Sequence, residues 1–235
     1  MNKRGLEHVE FIVSFVFFVG FLLFALYFFS PLKGDRIVDS TLFYTMDEIS
    51  ANTSVALESL SVVIGPEVSA PVVGIRVDDR QDKGAYVENS AGRKLPSHFN
   101  PLREIVFTDR MGERFVIIKF SQDIEQGTLG EGNIVLDSEN YTVSSSDSRK
   151  VISEKRVIEL ANTYSTEEGY ISLKKEFNLP SRANFGFALI ISDSERIEAK
   201  RDVPAGLEVF SQRERFEILR SDGSSKFADL EVRVW

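Results

Sequence analysis

Hydrophobic positions change their spacing repeatedly along this chain, and each change predicts a different element. From Phe11 to Phe29, nineteen residues run with only Ser14 clearly polar, which predicts one continuous apolar helix. At a rise of about 1.5 Å per residue it covers roughly 28 Å, close to the roughly 30 Å of bilayer hydrocarbon. A secretory signal has a shorter apolar core and a small-x-small cleavage site. This run ends instead in bulky aromatics, "LYFFSPLKG", so the reading is a retained single-pass transmembrane helix. No small-xxx-small pair occurs in it, and close helix approach of the glycophorin kind is not encoded. Ser30-Pro31 ends the helix, because proline disfavours helical geometry in the residue before it. From Asp35 to Ala51, Val38, Leu42, Met46 and Ile49 fall four, four and three apart, and Phe43 widens the stripe. That is one helical face, predicting a stalk helix packed on the domain behind it.

From Ser54 the period becomes two. "SVALESLSVVI" and "APVVGIRV" read as strands, and "EIVFTDRMGERFVIIKF" as a hairpin with Met111-Gly112 near its turn. "NIVLD" and "NYTVS" follow as short strands. "KVISEKRVIELANTY" reads as two short strands or one with a bend. "STEEGYISLKKEFNLP" breaks the pattern: Ser165 with Glu168 makes a capping box, Tyr170, Leu173 and Phe177 share a helical face, and Pro180 closes it. "NFGFALIIS" places Phe185, Phe187, Leu189 and Ile191 on one side of a strand. "LEVFSQRERFEIL" and "KFADLEVRVW" flank Asp222-Gly223, a strong hairpin signal. The last strand runs to Trp235, which places the C-terminus in a sheet.

The predicted fold class is α+β, mainly β: a transmembrane helix followed by an antiparallel β-sandwich-like domain. The division is 1–30 for the N-terminal segment, 31–52 for the stalk and 53–235 for the β-rich domain. Residues 121–133, "SQDIEQGTLGEGN", are either an internal hinge or a long loop within one sandwich.

Composition narrows the function. The chain has 235 residues, 28 basic and 36 acidic, for a net charge of −8. With no basic run, nucleic acid and anionic lipid surfaces are poor partners. There is no cysteine, so stability must come from the core rather than from disulfides. The two histidines lie ninety residues apart; His98, in "LPSHFNP", reads as an exposed loop residue. No nucleophile elbow, phosphate loop, zinc motif or dinucleotide fingerprint is present, so no enzyme and no cofactor are expected. Asp78, Asp79 and Asp82 make a weak calcium-loop candidate whose spacing does not match an EF-hand; the solvated-turn reading is preferred. Asn52 and Asn140 head Asn-x-Ser/Thr sequons.

The first ten residues, "MNKRGLEHVE", carry the most specific pattern. Two basic residues precede Gly5, Glu10 is the fifth residue after it, and the apolar run begins at once. Charge alone leaves orientation tied, with Lys3 and Arg4 on one side against Lys33 and Arg36 on the other. The arrangement resembles the class III signal of type IV pilins and their archaeal relatives. That resemblance covers about thirty residues. It implies cleavage after Gly5 by a prepilin peptidase on the cytoplasmic side, with Leu6 becoming the first residue and Glu10 the assembly glutamate. A carboxylate at a hydrocarbon edge is costly unless paired. In an assembly, the ammonium freed at Leu6 of one subunit can pair with Glu10 of the next; in a lone helix, Glu10 would snorkel to interfacial water.

Two functions are carried forward. One is a pilin-like structural or adhesive surface subunit, a minor component of a type IV filament or related machine, with its C-terminal domain extracellular and its N-terminus cytoplasmic. Its partners would be the membrane, prepilin peptidase and other pilin-like subunits. The alternative is an unprocessed single-pass protein whose β-rich ectodomain binds a ligand or cell-envelope partner.

Overall fold

A computed structural model describes the backbone of residues 3–28, 32–77, 80, 82–125, 127, 129 and 134–235. Side chains are described over the same residues except 3–11, 27–28 and 32–39. Two helices come first, α1 (Lys3–Phe28) and α2 (Leu32–Thr53), and then β1 (Ser54–Ile64), β2 (Val72–Arg76), β3 (Gly84–Asn89), β4 (Lys94–Leu95), β5 (Ser97–Phe99), β6 (Ile105–Asp109) and β7 (Phe115–Ser121). A long β8 (Tyr141–Ser153) leads into α3 (Glu154–Ser165) and α4 (Glu167–Glu176), followed by β9 (Phe185–Ile190), β10 (Arg196–Ala199), β11 (Phe210–Leu219) and β12 (Ser225–Val234). The break expected at Ser30-Pro31 lies outside the described residues.

Among the described residues, no helix is long and apolar enough to cross a membrane. The single-pass reading of Phe11–Phe29 is corrected on this finding. The localisation built on it, with a cytoplasmic N-terminus and an extracellular domain, is withdrawn with it. What stands of the fold class is a mainly β chain with helices. Its strands form a nine-stranded sheet, β10-β9-β12-β11-β8-β1-β7-β3-β4, and a three-stranded one, β2-β6-β5. Among the described strands all pairings are antiparallel except that of β8 with β11.

Two hydrophobic cores lie on one face of the large sheet, at opposite ends. In the first, Leu42, Met46 and Ile49 of α2 pack with Val157, Tyr164, Tyr170, Leu173 and Phe177 against Phe185, Phe187, Leu189, Leu230 and Val232. Of the predicted α2 stripe, Leu42, Met46 and Ile49 are buried and the Val38 side chain lies outside the described residues, while Phe43 is exposed and Thr45 is buried in its place. The Thr45 hydroxyl tolerates burial because it donates to the Thr41 carbonyl at 2.7 Å. In the second core the small sheet supplies Val73, Ile75, Phe99 and Val106 against Val62, Ile64, Val87, Val116, Ile118 and Phe120. Strand alternation shows that the two cores share a face. Ser54 lies opposite Ile152 of the first core, and Val62 and Ile64 have the same parity as Ser54 on β1. Val55, Leu57, Tyr86, Ile124, Val151 and Leu219 form a third cluster on the reverse side.

Several local expectations change. The segment Ile105–Ser121 is a corner between sheets: β6 pairs with β2 and β5, whereas β7 pairs with β1 and β3. Met111 (φ 50°) and Gly112 (φ 84°) make the turn, as a hairpin would use them, but the chain leaves it in the other sheet. "NIVLD" contributes only an isolated bridge, Val135 to Gly74. "KVISEKRVIELANTY" divides into the end of β8 and the helix α3. Ser153 caps it, its hydroxyl accepting from the Arg156 amide at 3.4 Å, and Val157 and Tyr164 turn inward. The cap of α4 is Thr166, one residue later than expected, with its hydroxyl accepting from the Gly169 amide at 3.1 Å. His98 is a half-buried strand residue in β5. The Asp222-Gly223 turn forms as predicted: Gly223 takes φ 87°, and the Asp222 carboxylate accepts from the Ser224 amide at 2.9 Å. Residues 121–133 join β7 to β8, both of which pair with β1.

Strands β8 and β11 share only two residue pairs, Ile152 with Ile218 and Ser153 with Leu219. Just beyond them Arg149 donates from Nε and Nη2 to the two Glu217 carboxylate oxygens, each at 2.8 Å. This fork holds two diverging strands together where the backbone ladder is short. The Arg149 hydrogen bond holds the Glu217 carboxyl below the usual carboxylate range. A depressed pKa in the folded state contributes stability above the unfolded value of 4.5, and that contribution is lost as pH falls through the folded value. Glu217→Gln is expected to cost about 1 kcal/mol at pH 7, the scale of a half-exposed bidentate pair. The gap from the parent protein should narrow as denaturant unfolding is repeated down to about pH 3. A gap that stays constant across that range would show that the pair is not a source of stability.

Candidate functional site

Two features lie outside the demands of folding. The first is α1. Phe15, Val16, Phe17 and Phe18 are 59–75% exposed, and at about 100° per residue four consecutive positions go around the whole helix. Phe21, Leu23 and Leu26 add three more exposed large side chains, at 63–68%. This helix therefore has no polar face among its described side chains, and a helix apolar all round is normally enclosed by other protein or by lipid. Gly20 does not open a close-approach groove for a particular partner: a Cβ there would meet nothing within 4 Å.

The second feature is a cavity of about 670 Å³ between α4 and the segment after β10. Its walls include Glu167, Tyr170, Lys174, Asn184, Arg201 and Trp235. α4 presents Tyr170 and Lys174 one turn apart. Tyr170 is anchored inward, stacked on Phe185 at 5.6 Å between centroids, with its hydroxyl donating to Asn184 Oδ1 at 2.9 Å. Asn184 is fixed in turn by a reciprocal backbone pair with Trp235, at 2.8 and 3.0 Å. Arg201 lies over the Tyr170 ring, its guanidinium carbon 3.9 Å from the centroid, and donates through Nη1 to Glu167 at 2.8 Å. Its Nε is buried without an acceptor. Lys174 donates to the Ser181 carbonyl at 3.0 Å and to Asn184 Oδ1 at 3.4 Å. Burial, and then the neighbouring Arg201 charge, push the Lys174 ammonium below the usual lysine range.

The residues singled out from sequence lie elsewhere. Gly5, Leu6 and Glu10 sit in α1, but their side chains lie outside the described residues, as do Asp78 and Asp79. Asp82 is an exposed turn residue. Among the described residues no group of three His, Cys, Asp or Glu side chains could hold a metal. Asn52 is in the last turn of α2, where its carboxamide donates to the Glu48 carbonyl at 3.0 Å, and Thr53 beside it is buried. Asn140 is a half-exposed turn residue whose carbonyl accepts from Gly65 at 2.8 Å. Asn52, Asn140 and Asp82 are not among the cavity walls. Lys174, Asn184, Arg201 and Trp235 carried no sequence signal, since they share no spacing and three of them lie outside regular elements. No protein-family model, no curated protein and no solved structure matches this chain.

Proposed function

We propose that this protein is a non-enzymatic assembly subunit of the pilin-like kind, whose α1 helices pack against those of further copies while the β-rich body stands clear of them. The observation that carries the reading is the ring of exposed apolar side chains from Ile12 to Leu26. A helix with one apolar stripe could be covered by its own domain; one that is apolar all round needs several neighbours. Supporting this is the resemblance of "KRGLEHVE" to a class III signal, which implies processing after Gly5 and a Glu10 able to pair with the new ammonium of a neighbour.

The absence of native cysteine makes a direct test available. The full chain carrying Phe17→Cys, produced alongside a prepilin peptidase, should show Leu6 as its first residue by mass spectrometry. Under mild oxidation this variant should form disulfide-linked dimers through its single introduced thiol, and Glu10→Ala should reduce their yield severalfold. An intact N-terminus together with monomeric protein would remove the reading.

A further inference from the structure

We infer that the cavity between α4 and the Lys200–Pro204 segment binds a carboxylate carried on a sugar ring, of the hexuronate class. The volume of about 670 Å³ lies in the range of small-ligand sites, about 300–1,000 Å³. The charges in and around it are unevenly matched. Glu167 is paired with Arg201, and Glu198 with Lys200 and Arg196. Lys174 is left with neutral acceptors only among its described contacts, and the partly exposed Arg201 guanidinium donates to Glu167 through Nη1. A carboxylate set between these two cations would give Lys174 the charged acceptor it lacks and Arg201 a second one, through the charge-assisted bonds in which guanidinium and ammonium groups are strongest.

Charge count decides between a carboxylate and a phosphate. Counting the wall residues with their ion-pair partners, Lys174, Arg196, Lys200 and Arg201 against Glu167, Glu198 and Asp202 leave one net positive charge, which a single carboxylate neutralises and a phosphate dianion would overshoot. The remaining walls suit a ring. Trp235 is among the wall residues, an aromatic residue type suited to a sugar ring, and the half-exposed Asn184 offers a carboxamide for hydroxyl groups. Lys174, pushed down by burial and by Arg201, gains from an anion that restores its charged form. The site lies wholly on the β-rich body and does not depend on α1 assembly.

The test is titration of the full chain with sodium galacturonate, galactose and inorganic phosphate, followed by NMR or calorimetry. Galacturonate should bind saturably and at least about tenfold more tightly than galactose or phosphate, the loss expected for one missing charge-assisted bond. Lys174→Gln should weaken galacturonate binding by about tenfold or more with an unchanged unfolding midpoint. Arg201→Lys, which keeps the charge and loses the planar set of guanidinium donors, should weaken it too. No saturation by about 20 mM would overturn the inference. So would equal binding of galactose, phosphate binding as tight as galacturonate, or a Lys174→Gln variant that binds unchanged.

Discussion

Replacing Phe185 with alanine will lower the free energy of unfolding by about 3–5 kcal/mol, measured by denaturant titration of the full chain. Phe185 is fully buried at the start of β9, and its ring touches three others. Tyr164 meets it edge-on at 5.3 Å, Tyr170 stacks at 5.6 Å and Phe177 tilts against it at 5.6 Å. The three come from α3, α4 and the residue closing α4, so this one side chain seats both helices on the sheet. Its backbone is equally committed, as the Tyr164 hydroxyl donates to the Phe185 carbonyl at 2.5 Å. Burial accounts for the raised Tyr164 pKa, because an ionised phenolate would have to give up its donor role in an apolar site. Truncation at Phe185 leaves a cavity among rigid rings that cannot collapse into it, which places the cost at the upper end of the range. The matched control is Phe227→Ala on β12, where the ring is 62% exposed; that change should stay within about 0.5 kcal/mol. Equal losses for the two would mean that the aromatic cluster does not hold the helices.

Lys119→Met is the second large effect, expected to cost about 3–5 kcal/mol. Lys119 on β7 and Glu88 on β3 form an ion pair at 2.9 Å with side chains only 9% and 12% exposed. Strand register explains the meeting: Lys119 lies opposite Tyr86, and Glu88 is two residues along on the same face. The Lys119 ammonium lies over the Tyr86 ring, with Nζ 5.9 Å from its centroid. Burial, with Glu88 adding, pushes the Tyr86 hydroxyl up to about 12, so it stays neutral and cannot replace either partner. Removing the cation alone leaves a carboxylate in a dry site, the costly half of breaking a buried pair. The double variant Lys119→Met with Glu88→Leu removes both charges and should recover most of the loss. If the double variant is as unstable as the single, packing of the lysine stem, and not the charge, sets the cost.

The parts of this protein legible in its sequence are those governed by near neighbours. Asp222-Gly223 specified its turn because the φ of Gly223 and the Asp222–Ser224 hydrogen bonds involve only adjacent residues. α4 was legible within one residue because Thr166 caps it locally and Tyr170, Leu173 and Phe177 repeat at helical spacing. The β9 face was legible because strict alternation leaves one way to bury Phe185, Phe187 and Leu189. "KVISEKRVIELANTY" was not, because β-branched residues permit both periods and only the packing of Val157 and Tyr164 on the sheet selects the helix.

Partner choice was beyond local reasoning altogether. The turn at Met111-Gly112 has the chemistry of a hairpin, yet whether its arms pair with each other or with β2 and β3 is decided by which sheet buries Val106 and Val116. The greasy run at the front shows the same division. Its composition was plain in the sequence, but the membrane-spanning reading fell when no described helix proved long and apolar enough. The cavity is the clearest case. Lys174 and Arg201 stand 27 positions apart in the chain, and only the seating of α4 against β9, with Asn184 tied to Trp235, brings their charges together. Sequence by itself determined the Asp222-Gly223 turn and the apolar faces of α4 and β9; tertiary structure decided which distant charges had to share one site, because long-range electrostatics depends on distance in space and not along the chain.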